Sequence, residues 1–155
     1  MAEKNIPIDP CKDSILTERV GDLFSCPATA SMGHCVSRDL HMGKGIAVIF
    51  KKKFGGVAAL KAQNKEIGEC SVLLDNSRYI YYLITKEKYN YKPKLASLRQ
   101  AVCAMRDHCV LNDVKELCLP KIGCGLDRLV WKDVKQILID TFKETNIQLS
   151  VYSLS

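Results

Sequence analysis

Short apolar stretches typical of β-strands alternate along this chain with longer stretches whose apolar residues follow a helical spacing. The clearest helical stretch follows Pro93 and has apolar residues at positions 95, 98, 102, 105 and 109, where gaps of three and four alternate. The strand-like stretches Cys70–Leu74 and Arg78–Thr85 are separated by a tight turn at Asp75-Asn76, so they predict an antiparallel hairpin. This order of elements predicts a mixed sheet covered by helices on both faces.

The remaining pattern places six strands and four helices in one domain. A length of 155 residues fits a single domain, which we expect to span residues 14–155 after a flexible leader at residues 1–13. The other predicted strands are Ile15–Leu23, Met32–Val36, Val114–Leu119 and Ile147–Leu154, and the other predicted helices are Gly45–Phe54, Val57–Asn64 and one beginning near Trp131.

Composition narrows the class of protein. A net charge of +6 favours an anionic partner, although solubility alone would also explain it. The chain has eight cysteines without zinc-site spacing or a secretion signal, which indicates free thiols in a reducing compartment and no metal centre. No apolar run is long enough to span a membrane.

Two Gly-x-Gly loops are the strongest candidates for a binding site. Gly43-Lys44-Gly45 and Gly123-Cys124-Gly125 each precede a predicted helix, where backbone N–H groups can approach a phosphate. Neither loop matches a dinucleotide-binding fingerprint or a P-loop, and each alone could be a tight turn. Two such loops in one small domain favour a diphosphate held from both sides at the carboxyl ends of the strands.

Three charged residues follow predicted strands or lie beside these loops. Asp22 ends the first strand, where it could contact an adenine or ribose or simply stabilise a turn. Lys86 ends an apolar strand, where partial desolvation would favour a nucleophilic amine, but a surface lysine on an edge strand is the alternative. Asp127 follows the second loop, either as an acid/base group beside phosphate or as an acid that stabilises the next helix.

Taken together, these segments resemble the macro domain, an ADP-ribose-binding family. The resemblance extends over about residues 20–154 and implies a three-layer α/β/α sandwich around a six-stranded mixed sheet, with ADP-ribose in a cleft across the strand ends. It is carried by GDLF (21–24), HCVS (34–37), MGKGIAVIFKKKFGG (42–56), RYIYYLITK (78–86), LPKIGCGLDRL (119–129) and VYSL (151–154).

The resemblance also implies roles for individual residues. Lys86 would attack C1″ of the distal ribose to form a transient lysyl-ADP-ribose, and Asp127 would act as general acid/base. Many macro-domain hydrolases have an Asn-rich segment after the second strand where this chain has GHCVS, which shifts the catalysis to Lys86. The implied substrate-binding residues are Asp22, Leu23 and Tyr152 at the adenine, Ser37 at the distal ribose, and Gly43, Lys44, Gly45, Ile46, Ala47, Ile122, Gly123, Cys124, Gly125 and Leu126 around the diphosphate.

The implied activity is removal of mono-ADP-ribose from glutamate and aspartate side chains, with deacylation of O-acetyl-ADP-ribose and without metal or cofactor. Poly-ADP-ribose is a further candidate partner, and we expect a monomer that does not bind membranes. Lys51-Lys52-Lys53 gives weak support to a mainly nuclear location, nucleolus included, with some protein in the cytoplasm. The main alternative is a module that binds ADP-ribose without cleaving it. A third is a nucleic-acid-binding domain that uses KYNYKPK (88–94), but it leaves the glycine loops unexplained.

Overall fold

A computed structural model describes residues 15–125 and 127–154, so the predicted leader and Leu126 lie outside the described residues. The strands are β1 (Leu16–Val20), β2 (Ser31–Ser37), β3 (Cys70–Asp75), β4 (Arg78–Lys86), β5 (Glu116–Pro120) and β6 (Gln148–Ser153). The helices are α1 (Ile46–Phe54), α2 (Val57–Ala62), α3 (Leu95–Leu111) and α4 (Trp131–Phe142), and a short 3-10 turn covers Leu23–Ser25.

The strands form one six-stranded mixed sheet in the order β1-β6-β5-β2-β4-β3. The hairpin pair β3–β4 is antiparallel, and the pairs β1–β6, β6–β5, β5–β2 and β2–β4 are parallel. Parallel neighbours need crossover connections, and helices supply several of these connections. The predicted mixed sheet and its hairpin are therefore confirmed.

Helices cover both faces of the sheet, and the alternation of β4 shows how. Ile80, Tyr82 and Ile84 pack in one core cluster with Phe50 of α1 and Leu60 of α2. Tyr81 and Leu83 pack in the other cluster, which contains residues of α3 and α4 such as Leu98, Met105 and Leu138. Successive side chains of a strand point to opposite faces, so the two clusters are the two sides of a three-layer α/β/α sandwich.

The first strand is shorter than its sequence pattern indicates. The pattern predicts Ile15–Leu23, whereas β1 ends at Val20 because Asp22 begins the 3-10 turn. The Asp22 carboxylate accepts a hydrogen bond from the backbone N–H of Phe24 at 3.0 Å. This local bond competes with strand pairing, as is common for aspartate at turns.

The second glycine loop is not joined directly to a helix. Residues 126–130 separate Gly125 from α4, and the acid in the first turn of α4 is Asp133. Asp127 therefore lies before α4 and not in its first turn, which is contrary to the helix-stabilising alternative. No helix within residues 15–125 and 127–154 is long and apolar enough to cross a membrane.

Candidate active site

A cleft of about 750 Å³ lies beyond the carboxyl ends of β2, β4 and β5. It contains both glycine loops together with Ser37, Lys86 and Asp127. The lining residues are His34, Cys35, Val36, Ser37, Met42, Gly43, Lys44, Gly45, Ile46, Ala47, Lys86, Tyr89, Asn90, Tyr91, Lys92, Pro120, Lys121, Ile122, Gly123, Cys124, Gly125 and Asp127. Ligands of α/β sheets commonly bind in such a crevice outside the strand ends.

Lys86 and Asp127 meet inside this cleft. The ammonium group of Lys86 lies 2.6 Å from Oδ1 of Asp127, and the two side chains are 12% and 18% exposed. The predicted proximity of these residues is confirmed, and the surface-lysine alternative is wrong. An amine is nucleophilic only after it loses a proton, and the carboxylate is positioned to take that proton.

A shift in strand register brings Lys86 to Asp127. Val36 of β2 lies opposite Ile84, but Ser37 lies opposite Lys86, so Thr85 is an extra residue in β4. Regular alternation would place Lys86 on the face of Tyr82 and Ile84, which pack toward α1. The bulge instead puts Lys86 opposite Ser37, on the face of Cys35. Bulges next to active sites commonly redirect a side chain in this way.

One glycine in each loop adopts a backbone conformation that favours glycine. Gly45 has φ 61° at the N-cap of α1, and Gly123 has φ 72°, both in the region that L side chains rarely adopt. A Cβ atom at Gly123 would also lie 2.8 Å from Cδ1 of Leu129. The backbone N–H of Leu129 donates to the Gly123 carbonyl at 2.7 Å, which closes the second loop.

The cleft carries a surplus of positive charge. Asp127 is the one carboxylate among the lining residues, and Lys86 neutralises it. Lys44, Lys92 and Lys121 also line the cleft, and within the described part of the chain none of them has a carboxylate partner. The free N–H groups at the N-terminus of α1 add to this potential. The cleft therefore suits an anionic ligand.

The two cysteines in the cleft are poor nucleophiles. Burial raises the pKa of the Cys124 thiol to about 11. Burial also raises the pKa of the Cys35 thiol strongly, and the Asp127 carboxylate raises it further. Both thiols stay protonated at neutral pH, since the thiolate is the reactive form. The Ser37 hydroxyl donates to the carboxylate of Asp39, so toward a ligand hydroxyl its oxygen is an acceptor.

Three residues predicted at the adenine are absent from the cleft lining. Asp22 caps the 3-10 turn, and Leu23 and Tyr152 are each 4% exposed. Burial raises the pKa of Tyr152 to about 12. Tyr152 lies opposite Pro120 in the neighbouring strand, and Pro120 does line the cleft. Tyr152 is thus next to the described cleft, and none of the three residues is part of its wall.

Sequence reasoning missed several lining residues. Tyr89–Lys92 form part of the cleft wall, and none of these four residues was among the predicted site residues. Lys121 directly precedes the second glycine loop, and its ammonium lies 5.7 Å from the centroid of the Trp131 ring. The position of both after buried strands, at the same rim as the glycine loops, is the signal that could have identified them. Among the described residues, no group of three or more His, Cys, Asp or Glu side chains could hold a metal ion.

Comparison with known proteins agrees with this geometry, although no protein-family profile matches the chain. The chain is 50% identical over 148 residues to "ADP-ribose glycohydrolase OARD1" of Bos taurus, which covers 96% of this chain and 97% of that protein. It is also 50% identical over 146 residues to the Homo sapiens protein of the same name, with 94% and 95% covered.

Solved structures show the same architecture. The macrodomain of Mycobacterium tuberculosis DarG superposes with a TM-score of 0.80 at 26% identity, covering 90% of this chain and 98% of that one. The macrodomain of Thermus aquaticus DarG gives a TM-score of 0.79 at 24% identity, with 89% and 97% covered. The chain therefore belongs to the macrodomain family and, within it, to the group of the ADP-ribose glycohydrolase OARD1 proteins.

Proposed function

We propose that this protein is a hydrolase that binds ADP-ribose in the cleft and releases mono-ADP-ribose from glutamate and aspartate side chains. The observation that carries the proposal is the Lys86–Asp127 pair at 2.6 Å, inside a cleft lined by two glycine loops. A module that only binds ADP-ribose needs the loops but has no use for a paired amine and carboxylate. The relatives that share half of its residues are named as ADP-ribose glycohydrolases.

The diphosphate would lie between the loops at residues 43–47 and 122–125. Three lysines without carboxylate partners among the described residues line this cleft, whereas the diphosphate of ADP-ribose carries two negative charges. The distal ribose would then lie between Ser37 and Lys86. The adenine would extend past Pro120 toward Asp22, Leu23 and Tyr152, a direction supported by the pairing of Pro120 with Tyr152.

In the first half of the reaction, Asp127 takes a proton from the Lys86 ammonium. The free Nζ then attacks C1″ of the distal ribose, and the bond from C1″ to the carboxylate oxygen of the modified protein breaks. The carboxylate leaves as an anion and needs no proton, while the new secondary amine gives one proton to solvent. The product is a lysyl-ADP-ribose adduct.

In the second half, Asp127 returns its proton to Nζ as the bond between Nζ and C1″ breaks. The oxygen of a water molecule bonds to C1″, and the proton of that water passes to the Asp127 carboxylate. Proton transfer from Asp127 to Lys86 restores the resting ion pair. The O-acetyl ester of ADP-ribose has the same acyl–ribose chemistry and would be deacylated at the same site.

The wider biology is also part of the proposal. We expect a monomer, located mainly in the nucleus, that does not bind membranes and that accepts the terminal unit of poly-ADP-ribose as a further ligand. The exposed Lys51, Lys52 and Lys53 at the end of α1 support the nuclear location.

The test of the catalytic proposal measures release of ADP-ribose from a mono-ADP-ribosylated poly-glutamate peptide, together with the affinity for ADP-ribose.

The decisive variants are Lys86→Arg and Asp127→Asn. Arginine keeps the positive charge beside Asp127 but is not a nucleophile, so turnover should vanish while ADP-ribose affinity changes little. Asp127→Asn should lower turnover by roughly 10²- to 10⁴-fold, the usual contribution of an acid/base group. Wild-type protein that binds ADP-ribose without turnover would indicate a binding module. Normal turnover by Lys86→Arg would refute the covalent route.

A further inference from the structure

Two aromatic rings join the loops that follow β2 and β4. The imidazole of His41 stacks on the ring of Tyr89, with centroids 4.1 Å apart and planes inclined by 21°. The other neighbour of His41 is the first glycine of the phosphate loop. A Cβ atom at Gly43 would lie 2.7 Å from Cδ2 and Nε2 of His41, so the imidazole packs directly on the Gly43 backbone.

Hydrogen bonds hold the backbones of both loops next to this stack. The carboxylate of Asp39 accepts a hydrogen bond from the backbone N–H of His41 at 3.3 Å and lies near the backbone N–H of Tyr89. The ammonium of Lys51 donates to the His41 carbonyl at 3.3 Å. Next to Asp39, the guanidinium of Arg38 forms an ion pair with the carboxylate of Glu87 at 3.0 Å. The loop after β2 and the loop after β4 are therefore in contact from Arg38 and Glu87 as far as the rings of His41 and Tyr89.

The segment between Asp39 and Gly43 needs such support. Leu40 and Met42 have φ angles of 53° and 46°, a left-handed conformation that is uncommon for these side chains. Their side chains are 4% and 5% exposed, so burial holds them from the core side. On the solvent side, the turn carries the His41–Tyr89 stack, and both of these residues are exposed.

We infer that His41 and Tyr89 form a clasp, defined as this ring pair, which positions the phosphate loop at residues 43–45 against the wall at residues 89–92. Both are positioning residues, since the loop and not the rings would contact the diphosphate. The inference rests on the proposed function for its ligand. Loss of the stack would let the His41 ring leave Gly43, and the loop would have to be ordered when the ligand binds.

The expected effect is modest and measurable. An aromatic pair of this geometry corresponds to roughly a two- to tenfold change in an equilibrium constant. Tyr89→Ala and His41→Ala should each weaken ADP-ribose binding by that factor. Because either substitution removes the same stack, the double variant should lose no more than one single variant does. Tyr89→Phe keeps the ring, so the amides of residues 42–47 should exchange without ligand as they do in the wild type.

Two readouts test the clasp. Isothermal titration with ADP-ribose on the four proteins gives the double-mutant cycle, and thermal unfolding checks that each variant folds. Hydrogen–deuterium exchange without ligand follows the amides of residues 42–47, which should exchange faster in Tyr89→Ala and His41→Ala but not in Tyr89→Phe. This second readout does not depend on ADP-ribose.

The clasp would be refuted if the losses of ADP-ribose affinity in the two single variants multiplied in the double variant. It would also be refuted if Tyr89→Ala bound ADP-ribose weakly while His41→Ala bound it normally, since Tyr89 would then contact the ligand itself. Unchanged exchange at residues 42–47 in both alanine variants would overturn it as well. If the wild type fails to bind ADP-ribose, the proposed function fails, and the exchange result alone decides whether the rings hold the loop.

Discussion

Replacement of His34 by phenylalanine should flatten the dependence of stability on pH. His34 lies in the middle of β2 with its side chain 1% exposed, stacked on Phe50 with ring centroids 3.8 Å apart. Neither ring nitrogen has a hydrogen-bond partner among the described residues. Burial lowers the pKa of this imidazole from 6.5 to about 3. A phenyl ring can keep the stack on Phe50 without the titration.

The sign and size of the effect follow from proton linkage. Below pH 6.5 the unfolded chain binds a proton at His34 that the folded chain does not bind, down to a pH of about 3. The free energy of unfolding therefore falls as the pH falls, by about 1.4 kcal/mol per unit. The contribution is fully present above pH 6.5, and at pH 5 about 2 kcal/mol of it should be lost.

Urea denaturation at pH 7.5 and pH 5 of the wild type and His34→Phe would measure this. The difference between the two pH values should be about 2 kcal/mol smaller in the variant, and other titrating groups cancel in that comparison. His108, whose pKa is also lowered by burial, provides a control, because His108→Gln leaves the His34 contribution in place. If the pH dependence of stability in His34→Phe matches that of the wild type, the reasoning is refuted.

Two further predictions concern the backbone. Gly123→Ala should lower the free energy of unfolding by roughly 1–2 kcal/mol and weaken ADP-ribose binding, because φ is 72° and a Cβ would lie 2.8 Å from Leu129. At Gly125 a Cβ would have no neighbouring atom within 4 Å, so Gly125→Ala should unfold at the wild-type temperature. Equal melting temperatures for both would contradict this. Gln63→Leu should increase aggregation on mild heating, measured by light scattering, because the Gln63 amide donates to the Val72 carbonyl at 2.7 Å and accepts from its N–H at 2.9 Å on edge strand β3. Scattering at or below the wild-type level would show that the edge needs no such cover.

The fold could be predicted because each element carries its own local signal. The periodicity of α3 and the short turn between β3 and β4 identify a helix and a hairpin without any long-range information. The largest boundary error, at the end of β1, lies where a side chain bonds to a nearby backbone N–H. Asp22 ends β1 by capping the 3-10 turn, and propensity alone does not distinguish that bond from one more strand residue.

Part of the candidate site could be predicted from the sequence. Glycine loops after strands indicate a phosphate site from local sequence, and both loops do line the cleft. For the wall at Tyr89–Lys92 the sequence offers only its position after a buried strand, because the wall depends on contacts with a distant loop, such as the stack of Tyr89 on His41, 48 residues earlier. Such contacts leave no periodic pattern. Sequence alone also did not place Leu23 and Tyr152 outside the cleft lining, since their burial depends on packing around the 3-10 turn.

The position of Lys86 shows where the local rule fails. Strict alternation along β4 places every second residue from Ile80 on the face of α1, and residue 86 belongs to that series. A lysine there would point away from Asp127, and the ion pair could not form. One extra residue, Thr85, shifts the register and brings the amine to the carboxylate. Because a bulge weakens strand pairing, it persists where another requirement outweighs regular hydrogen bonding. The alternation rule is thus correct through the core of β4 and fails by one residue at the position proposed for the chemistry, as expected where function and regular structure compete.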